Sequence, residues 1–478
     1  MIGNQLWRLA KHSAIYGMGA VVSRLIGVFL LPVVTRYLTR ADVGAVETLM
    51  SLTVVLVIVL RMGISMAFFR FYFDAEDDAG RTTVVRTSFW FTMTMATFGL
   101  LAGSIFATQI SHVLFATDSR ANLVRAALVL LWAQMNYEQL TSLFRVEERS
   151  TAFVGASVAN VLITVGATFL LVVGLHKGPT GAVVGNFIGT LTVYVALLGY
   201  RRYQLGLQFS RDLLRQMNHF GMPLVPSALA LWAINFIDRI FIAQYKGQAE
   251  VGVYSVAVRI ASAIVFLMIA FRLAWPAFAY SIEDDREAKR AYSYVLTYLL
   301  FVCCWLSVAL GVLAPWLVDL LAPKHSFHRA ADAVALLSFA ATAYAGYTVV
   351  AIGIGRARQT QFNWIVSGAA AAINVVLNII LIPPYGMIGA AISTAAAYLA
   401  LFLMMVWNSS RVYPVAYQWR RVLILASVAI GLTVLGSVVD VPLAVAILIA
   451  LSYPLVLLPL RFYLPAERRR LRGLFGSA

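Results

Sequence analysis

Apolar residues in this chain gather in long runs, without the alternation of a half-buried strand or the single stripe of a soluble amphipathic helix. The runs fall at about 13–35, 43–69, 86–108, 122–144, 151–175, 180–200, 221–243, 251–278, 292–321, 331–354, 361–382, 386–407, 421–439 and 442–463. Each is near or above the roughly 20 residues that a helix needs to cross a bilayer. Charged or Pro/Gly-containing segments separate them. The pattern predicts an all-α, polytopic integral membrane protein with about 14 transmembrane helices. An even count puts both termini on one side of the membrane.

Composition agrees and removes whole classes of function. Of 478 residues, 61% are apolar and 12% charged, about half the charge of a soluble chain. A cytosolic enzyme, a secreted disulfide scaffold and a nucleic-acid-binding module are excluded. No nucleotide-binding loop is present and no cofactor is implied; Gly17-Met-Gly19 lacks the preceding strand that a dinucleotide fingerprint needs. The two cysteines, Cys303 and Cys304, are adjacent in an apolar run and suit packing rather than a disulfide framework or metal site. The first run resembles a signal peptide in having basic residues before it, but it is too long and carries Arg24 at its centre.

The net charge of +16 is mostly topology. One set of loops, with both termini, holds 24 basic residues, among them Arg8, Lys11, Arg201, Arg356 and Arg468; the other set holds eight, including Arg36, Arg40, Arg120 and Lys324. The positive-inside bias then places both termini in the cytoplasm.

An internal repeat organises the chain. Arg36-Tyr-Leu-Thr-Arg-Ala-Asp-Val-Gly44 lines up with Gln244-Tyr-Lys-Gly-Gln-Ala-Glu-Val-Gly252 at an offset of 208. Gly178-Pro-Thr-Gly-Ala182 meets Gly386-Met-Ile-Gly-Ala390, and the charged loops at Asp74–Arg81 and Ile282–Lys289 meet, at the same offset. The expected division is two six-helix lobes, residues 1–210 and 211–418, related by a pseudo-two-fold along the membrane normal. Residues 419–478 add two helices and a basic cytoplasmic tail. Two-lobed membrane proteins of this kind bind substrate centrally and alternate access.

Five arginines fall inside the runs: Arg24, Arg61, Arg239, Arg259 and Arg272. An arginine at mid-helix costs about 2.5–3.5 kcal/mol on insertion scales, which a partner, a wet cavity or a ligand must offset. Gly17, Ala20, Arg24 and Gly27 share a face of small residues, as do Ser255, Arg259 and Ser262. The acids in the runs are Glu138, Asp238 and Glu47. The excess of cations predicts an electropositive cavity for an anionic substrate, with arginine suited to phosphate or diphosphate. Snorkelling to the interface is the alternative for Arg61 and Arg272, and ion pairing the alternative for Arg24, Arg239 and Arg259.

A second, polar set comprises Ser227, Asn235 and Asp238 on one helix, Ser367, Asn374 and Asn378 on another, and Ser393 and Thr394 on a third. Oxygens around one carboxylate suit a sodium ion or proton, with interhelical hydrogen bonding as the other reading. Pro223 and Pro226 are expected to break their helix. Tyr344 and Tyr347 are placed to stack on sugar rings or to pack in the core.

Several motifs carry a family likeness. Ile15-Tyr16-Gly17, Ser23-Arg24-Leu25-Ile26-Gly27, Leu31-Pro32, Thr35-Arg36-Tyr37-Leu38, Asp238-Arg239 and Leu381-Ile382-Pro383 through Gly386, Gly389, Ala390 and Ala391 resemble bacterial polysaccharide flippases. These are the O-antigen or capsule repeat-unit translocases, involved in lipopolysaccharide assembly, of the multidrug/oligosaccharidyl-lipid/polysaccharide exporter superfamily. The likeness spans roughly residues 5–465. It implies a multi-pass protein of the bacterial inner membrane that moves an undecaprenyl-diphosphate-linked oligosaccharide to the periplasmic leaflet. Membrane lipids surround it, and a polysaccharide polymerase and assembly proteins are implied partners. Related peptidoglycan-precursor flippases use arginines in helices 1, 2 and 8 and an aspartate after helix 1, and Arg24, Arg61, Arg259 and Asp42 stand in matching places. Arg272 and Glu138 complete the expected substrate-binding set. The relatives' sodium site implies Asp238, Asn374 and Thr394 here, with Asn235 beside them; Asn378 stands where an acid is expected.

Two other functions fit parts of the pattern. A cation-coupled multidrug antiporter of the same superfamily wants a carboxylate-rich cavity. A membrane enzyme such as a polysaccharide polymerase commonly has a large periplasmic loop or a nucleotide-sugar domain, and the loops here are short.

Overall fold

In a computed structural model the described residues are 30–202, 205–357, 363–438 and 441–465. Among them every regular element is helical, with no strand. In chain order the α-helices are α1 (Arg40–Arg61), α2 (Ile64–Asp74), α3 (Asp78–Ile105), α4 (Ala107–Phe115), α5 (Ala121–Val146), α6 (Ser150–Phe169), α7 (Gly178–Arg201), α8 (Arg211–Gly221) and α9 (Val225–Lys246). There follow α10 (Gln248–Ala261), α11 (Ala263–Ser281), α12 (Asp285–Val312), α13 (Ala314–Leu321), α14 (Ala331–Arg356), α15 (Asn363–Tyr385), α16 (Met387–Val412), α17 (Trp419–Val438) and α18 (Leu443–Val456).

Among the described residues ten helical segments are long and apolar enough to cross a membrane, or eleven when the pair Gln248–Ala261 and Ala263–Ile269, bent by 44°, counts as one. The protein is a multi-pass membrane protein. Two expected runs form helices outside that set. Leu443–Val456 has 14 residues. Helix α5 has 26 but carries Arg125, Gln134, Asn136, Glu138, Gln139 and Arg145. Several of its polar groups are met by protein: Gln139 donates to the Ser88 hydroxyl at 3.0 Å, and the Asn136 amide to the Trp132 carbonyl at 2.8 Å. A helix shielded by neighbours does not need a lipid-compatible surface. The first run lies almost wholly outside the described residues.

Several runs are broken. The 43–69 run stops at Met62 (φ 48°) and Gly63 (φ 76°); two left-handed residues in succession cannot continue a right-handed helix. Pro223 lies within a 3-10 turn, Met222–Leu224, that joins α8 to α9, and Pro226 stands in the first turn of α9, where proline's missing backbone donor is tolerated.

Two pairs of helices match in length. Helices α3 and α12 each have 28 residues, and α5 and α14 each have 26. The Asp77 side chain caps α3 by accepting from the Gly80 amide, and Asp284, 207 residues on, caps α12 by accepting from the Glu287 amide.

Contacts divide the chain into two compact units. The first takes residues 1–256, 321–327 and 367–393. One of its cores gathers Ile64, Phe68, Phe89, Phe144, Tyr194 and Met217; another gathers Ala45, Leu49, Val124, Leu128 and Val183. At the crossing of α1 and α10, a side chain added at Gly44 meets the Gln248 carbonyl, and one added at Gly252 meets the Arg40 carbonyl. These repeat-equivalent glycines let two backbones touch in a reciprocal way. The second unit takes residues 257–320, 328–366 and 394–478. Its buried residues include Leu300, Cys303, Val308, Val334 and Val349, beside an aromatic cluster of Phe301, Tyr453 and Phe462. Apolar side chains such as Phe98, Leu162, Ile380, Leu403 and Leu451 are exposed, as a lipid-facing surface requires.

Candidate substrate-binding site

In the first unit Arg61 ends α1, where a cation is favoured by the helix dipole. Its Nη1 lies 2.8 Å from Glu138 Oε2 on α5, and Nη2 donates to the Met135 carbonyl at 3.1 Å. Gln134 Nε2 donates to the other Glu138 oxygen at 3.1 Å. The Arg61 side chain is 15% exposed and that of Glu138 37%. The two expected binding residues are thus brought together as a half-solvated neutral pair, rather than as a bare cation. Asp42 serves the backbone: its carboxylate accepts from the Thr39 amide while Thr39 Oγ1 accepts from the Asp42 amide, closing a capping box. Arg120 Nη2 stands 3.7 Å from its Oδ1. Glu250, the repeat equivalent, also lies in the first turn of its helix, so an acid at this position follows from the helix N-terminus.

Asp238, expected as the cation ligand, and Arg239 are both buried on α9. Asp238 Oδ1 accepts from the Arg239 amide at 2.8 Å and from Arg239 Nη1 at 3.1 Å, while Oδ2 accepts from the Tyr254 hydroxyl. Arg239 Nη1 also donates to the Asn235 carbonyl at 2.7 Å, and Nε lies 4.0 Å from Glu47 on α1. Among the described residues the Asp238 carboxylate meets Arg239 and Tyr254, not Asn374 or Asn378. Those two asparagines, one turn apart on α15 and fully buried, bond each other at 3.1 Å, leaving Asn374 Nδ2 and Asn378 Oδ1 without hydrogen-bond partners among the described residues. Asn235 is exposed and its side chain donates to the Leu231 carbonyl.

In the second unit Arg259 is half-buried, and its carbonyl accepts from the Ser262 hydroxyl at 2.6 Å. Thr394 is buried on α16. Arg272 is exposed on α11. Among the described residues its guanidinium meets no carboxylate; Nη1 donates to the Tyr344 hydroxyl at 3.2 Å and the group lies 5.9 Å from that ring's centre. Tyr344 and Tyr347 stack on α14 with centroids 5.7 Å apart and planes 21° from parallel. Tyr398, itself buried, closes on Tyr344 at 5.2 Å. Arg24 lies outside the described residues.

Some contributors were not legible beforehand. Tyr254, Arg120 and Tyr398 carry no motif, and only folding brings them to their partners. Arg201, counted among the loop charges, is buried at 3% exposure and pairs with both oxygens of Glu147 at 2.6 and 2.7 Å. Arg356, also counted there, holds Asp285 at 3.0 Å and the Ile282 carbonyl at 2.8 Å.

A model of the polysaccharide biosynthesis protein family matches residues 33–325. An uncharacterized membrane protein of Methanocaldococcus jannaschii is 28% identical over 210 residues, 42% of this chain and 40% of that relative's length. Among solved structures, the lipid II flippase MurJ in an inward closed conformation superposes with a TM-score of 0.76 at 14% identity, over 93% of this chain and 97% of that one. A multidrug resistance MATE family transporter of the MOP superfamily, in an inward-facing conformation, gives 0.64 at 16% identity, over 85% and 99%. At these identities the likeness is one of fold.

Proposed function

This chain belongs to the polysaccharide biosynthesis protein family, and we propose that it flips an undecaprenyl-diphosphate-linked oligosaccharide repeat unit from the cytoplasmic to the periplasmic leaflet of a bacterial inner membrane. The protein acts by alternating access, with both termini cytoplasmic and the polyprenyl tail left in lipid. Arg24, Arg61, Arg259 and Arg272 are the residues we assign to binding the diphosphate.

One observation carries the reading: Arg272 presents an exposed guanidinium that meets no carboxylate among the described residues, although it sits in an apolar helix. A diphosphate is the complement that offsets such a charge. Arg61, already paired, joins the site when the diphosphate displaces Glu138 from it. A coupling sodium ion or proton acts by competing with Arg239 for Asp238. A polymerase and other assembly proteins take the product on the far side.

Depletion of the protein followed by leaflet-resolved analysis of lipid-linked oligosaccharide tests this. Accumulation on the cytoplasmic side is expected. An unchanged distribution with altered drug resistance overturns it in favour of an antiporter, and a changed polymer length with normal flipping favours a polymerase. The antiporter reading draws on the shared MATE fold; against it, Asp238 is already neutralised by Arg239.

A further inference from the structure

We propose that Arg272, Tyr344 and Tyr347 form a single subsite for a sugar phosphate, in which the guanidinium takes the phosphate oxygens and the tyrosine stack takes the apolar face of the attached pyranose. The proposal rests on the flippase reading and names how that substrate's head group is held.

Depth separates this arginine from an interfacial one. Arg272 lies nine residues before the end of α11 at Ser281, about 14 Å along the helix. Tyr344 lies twelve residues before the end of α14 at Arg356, about 18 Å. Both helix ends are tied to one place, because Arg356 donates to the Ala279 and Ile282 carbonyls at 3.3 and 2.8 Å. The guanidinium and the ring therefore lie about 14–18 Å in from those helix ends, a distance comparable to half a hydrocarbon core of roughly 30 Å. An exposed arginine there borders a wet cavity rather than lipid.

Its neighbours define the ligand. Tyr344 and Tyr347 are half-buried, so both rings keep accessible surface beside the cation. Spaced three apart on α14, they share one face of the helix. Gly346 lies between them in sequence, where a side chain would strike the Phe402 ring on α16; that close approach fixes the rotation of α14 and with it the direction of both tyrosines. Tyr398 backs the stack from α16. The negative face of an aromatic ring attracts the polarised C–H groups on one side of a pyranose, as it does a ring edge or a cation. A guanidinium beside it binds phosphate through two parallel N–H donors. A bare phosphate needs no tyrosine stack, and a free sugar needs no arginine.

The test uses the full chain in phosphatidylcholine nanodiscs. Binding is measured for undecaprenyl diphosphate alone, for the same lipid carrying one N-acetylhexosamine, and for phosphatidylglycerol. Wild-type protein is expected to bind the glycosylated lipid about tenfold or more above the bare one. Tyr347→Leu, which keeps apolar volume but removes the ring face, is expected to abolish that gain while leaving bare-lipid binding unchanged; Tyr347→Phe keeps the gain. Arg272→Gln is expected to weaken both diphosphate lipids about tenfold or more. An undiminished sugar gain in Tyr347→Leu overturns the subsite and leaves the flippase reading standing, as does a wild type that binds both lipids equally. Failure of wild type to bind either diphosphate lipid overturns both. Equal binding of phosphatidylglycerol assigns the site to ordinary phospholipid head groups and overturns the sugar-phosphate assignment.

Discussion

Replacing Asp238 with alanine removes the carboxylate that neutralises a buried guanidinium. Asp238 is 1% and Arg239 5% exposed. Without the carboxylate, Arg239 retains the Asn235 carbonyl at 2.7 Å and Glu47 at 4.0 Å. It loses the 3.1 Å contact to Asp238, and the Tyr254 hydroxyl loses its acceptor. Breaking one side of a buried pair costs about 3–5 kcal/mol, because the remaining charge is left out of water without its partner. Asp238→Asn keeps the shape and an acceptor oxygen but gives up the charge, so a smaller loss of about 1.5–3 kcal/mol is expected. The double variant Asp238→Asn/Arg239→Gln leaves no charge to neutralise and is expected to recover much of the loss. The measurement is a double-mutant cycle on denaturation of the purified protein in mixed micelles, read by tryptophan fluorescence. An Asp238→Ala protein as stable as wild type, or a double variant no better than the sum of its parts, refutes the argument. The same variants bear on coupling. If a cation competes with Arg239, a cation-driven transport assay loses its ion dependence in the double variant even where the fold is restored.

Three further outcomes follow from the geometry. Gly252→Leu places a side chain against the Arg40 carbonyl; overpacking usually costs about 1–3 kcal/mol, and against rigid backbone the upper end is expected, seen as loss of the monodisperse peak in size-exclusion chromatography. Glu138→Gln frees Arg61 from its 2.8 Å partner, so diphosphate binding is expected to tighten by several-fold, about 1 kcal/mol, and unchanged affinity refutes Glu138 as a competitor. Arg24→Ala and Arg259→Ala are each expected to abolish surface polysaccharide while the protein still inserts in the membrane, and normal polysaccharide in both variants defeats the cavity model.

The helices were readable because membrane solvation is a local rule. Each apolar run satisfies its own backbone, so α3, α7, α12 and α16 fall where the runs lie. Helix α5 follows a weaker form of that rule, since other helices rather than lipid surround it. The interruption at Met62–Gly63 left only a glycine as a signal, and the left-handed methionine is set by context. Among site residues, the Asp238–Arg239 pair was visible as adjacent letters. The Arg61–Glu138 pair was not, because its members are separated by 77 positions and two helices must pack before they meet.

The sequence alone determined that this chain crosses a membrane many times, that its helices repeat, and that arginines lie inside apolar segments, since composition and periodicity need no partner to be read. Only the tertiary structure decided which of those arginines carry an open charge. Arg61 finds the Glu138 carboxylate on a packed neighbour, Arg239 pairs with Asp238 beside it and lies 4.0 Å from Glu47 on α1, and Arg272 finds a tyrosine stack. The physical reason is that charge in a low-dielectric interior is governed by what lies within a few ångströms. That distance is set by packing between segments far apart in the chain.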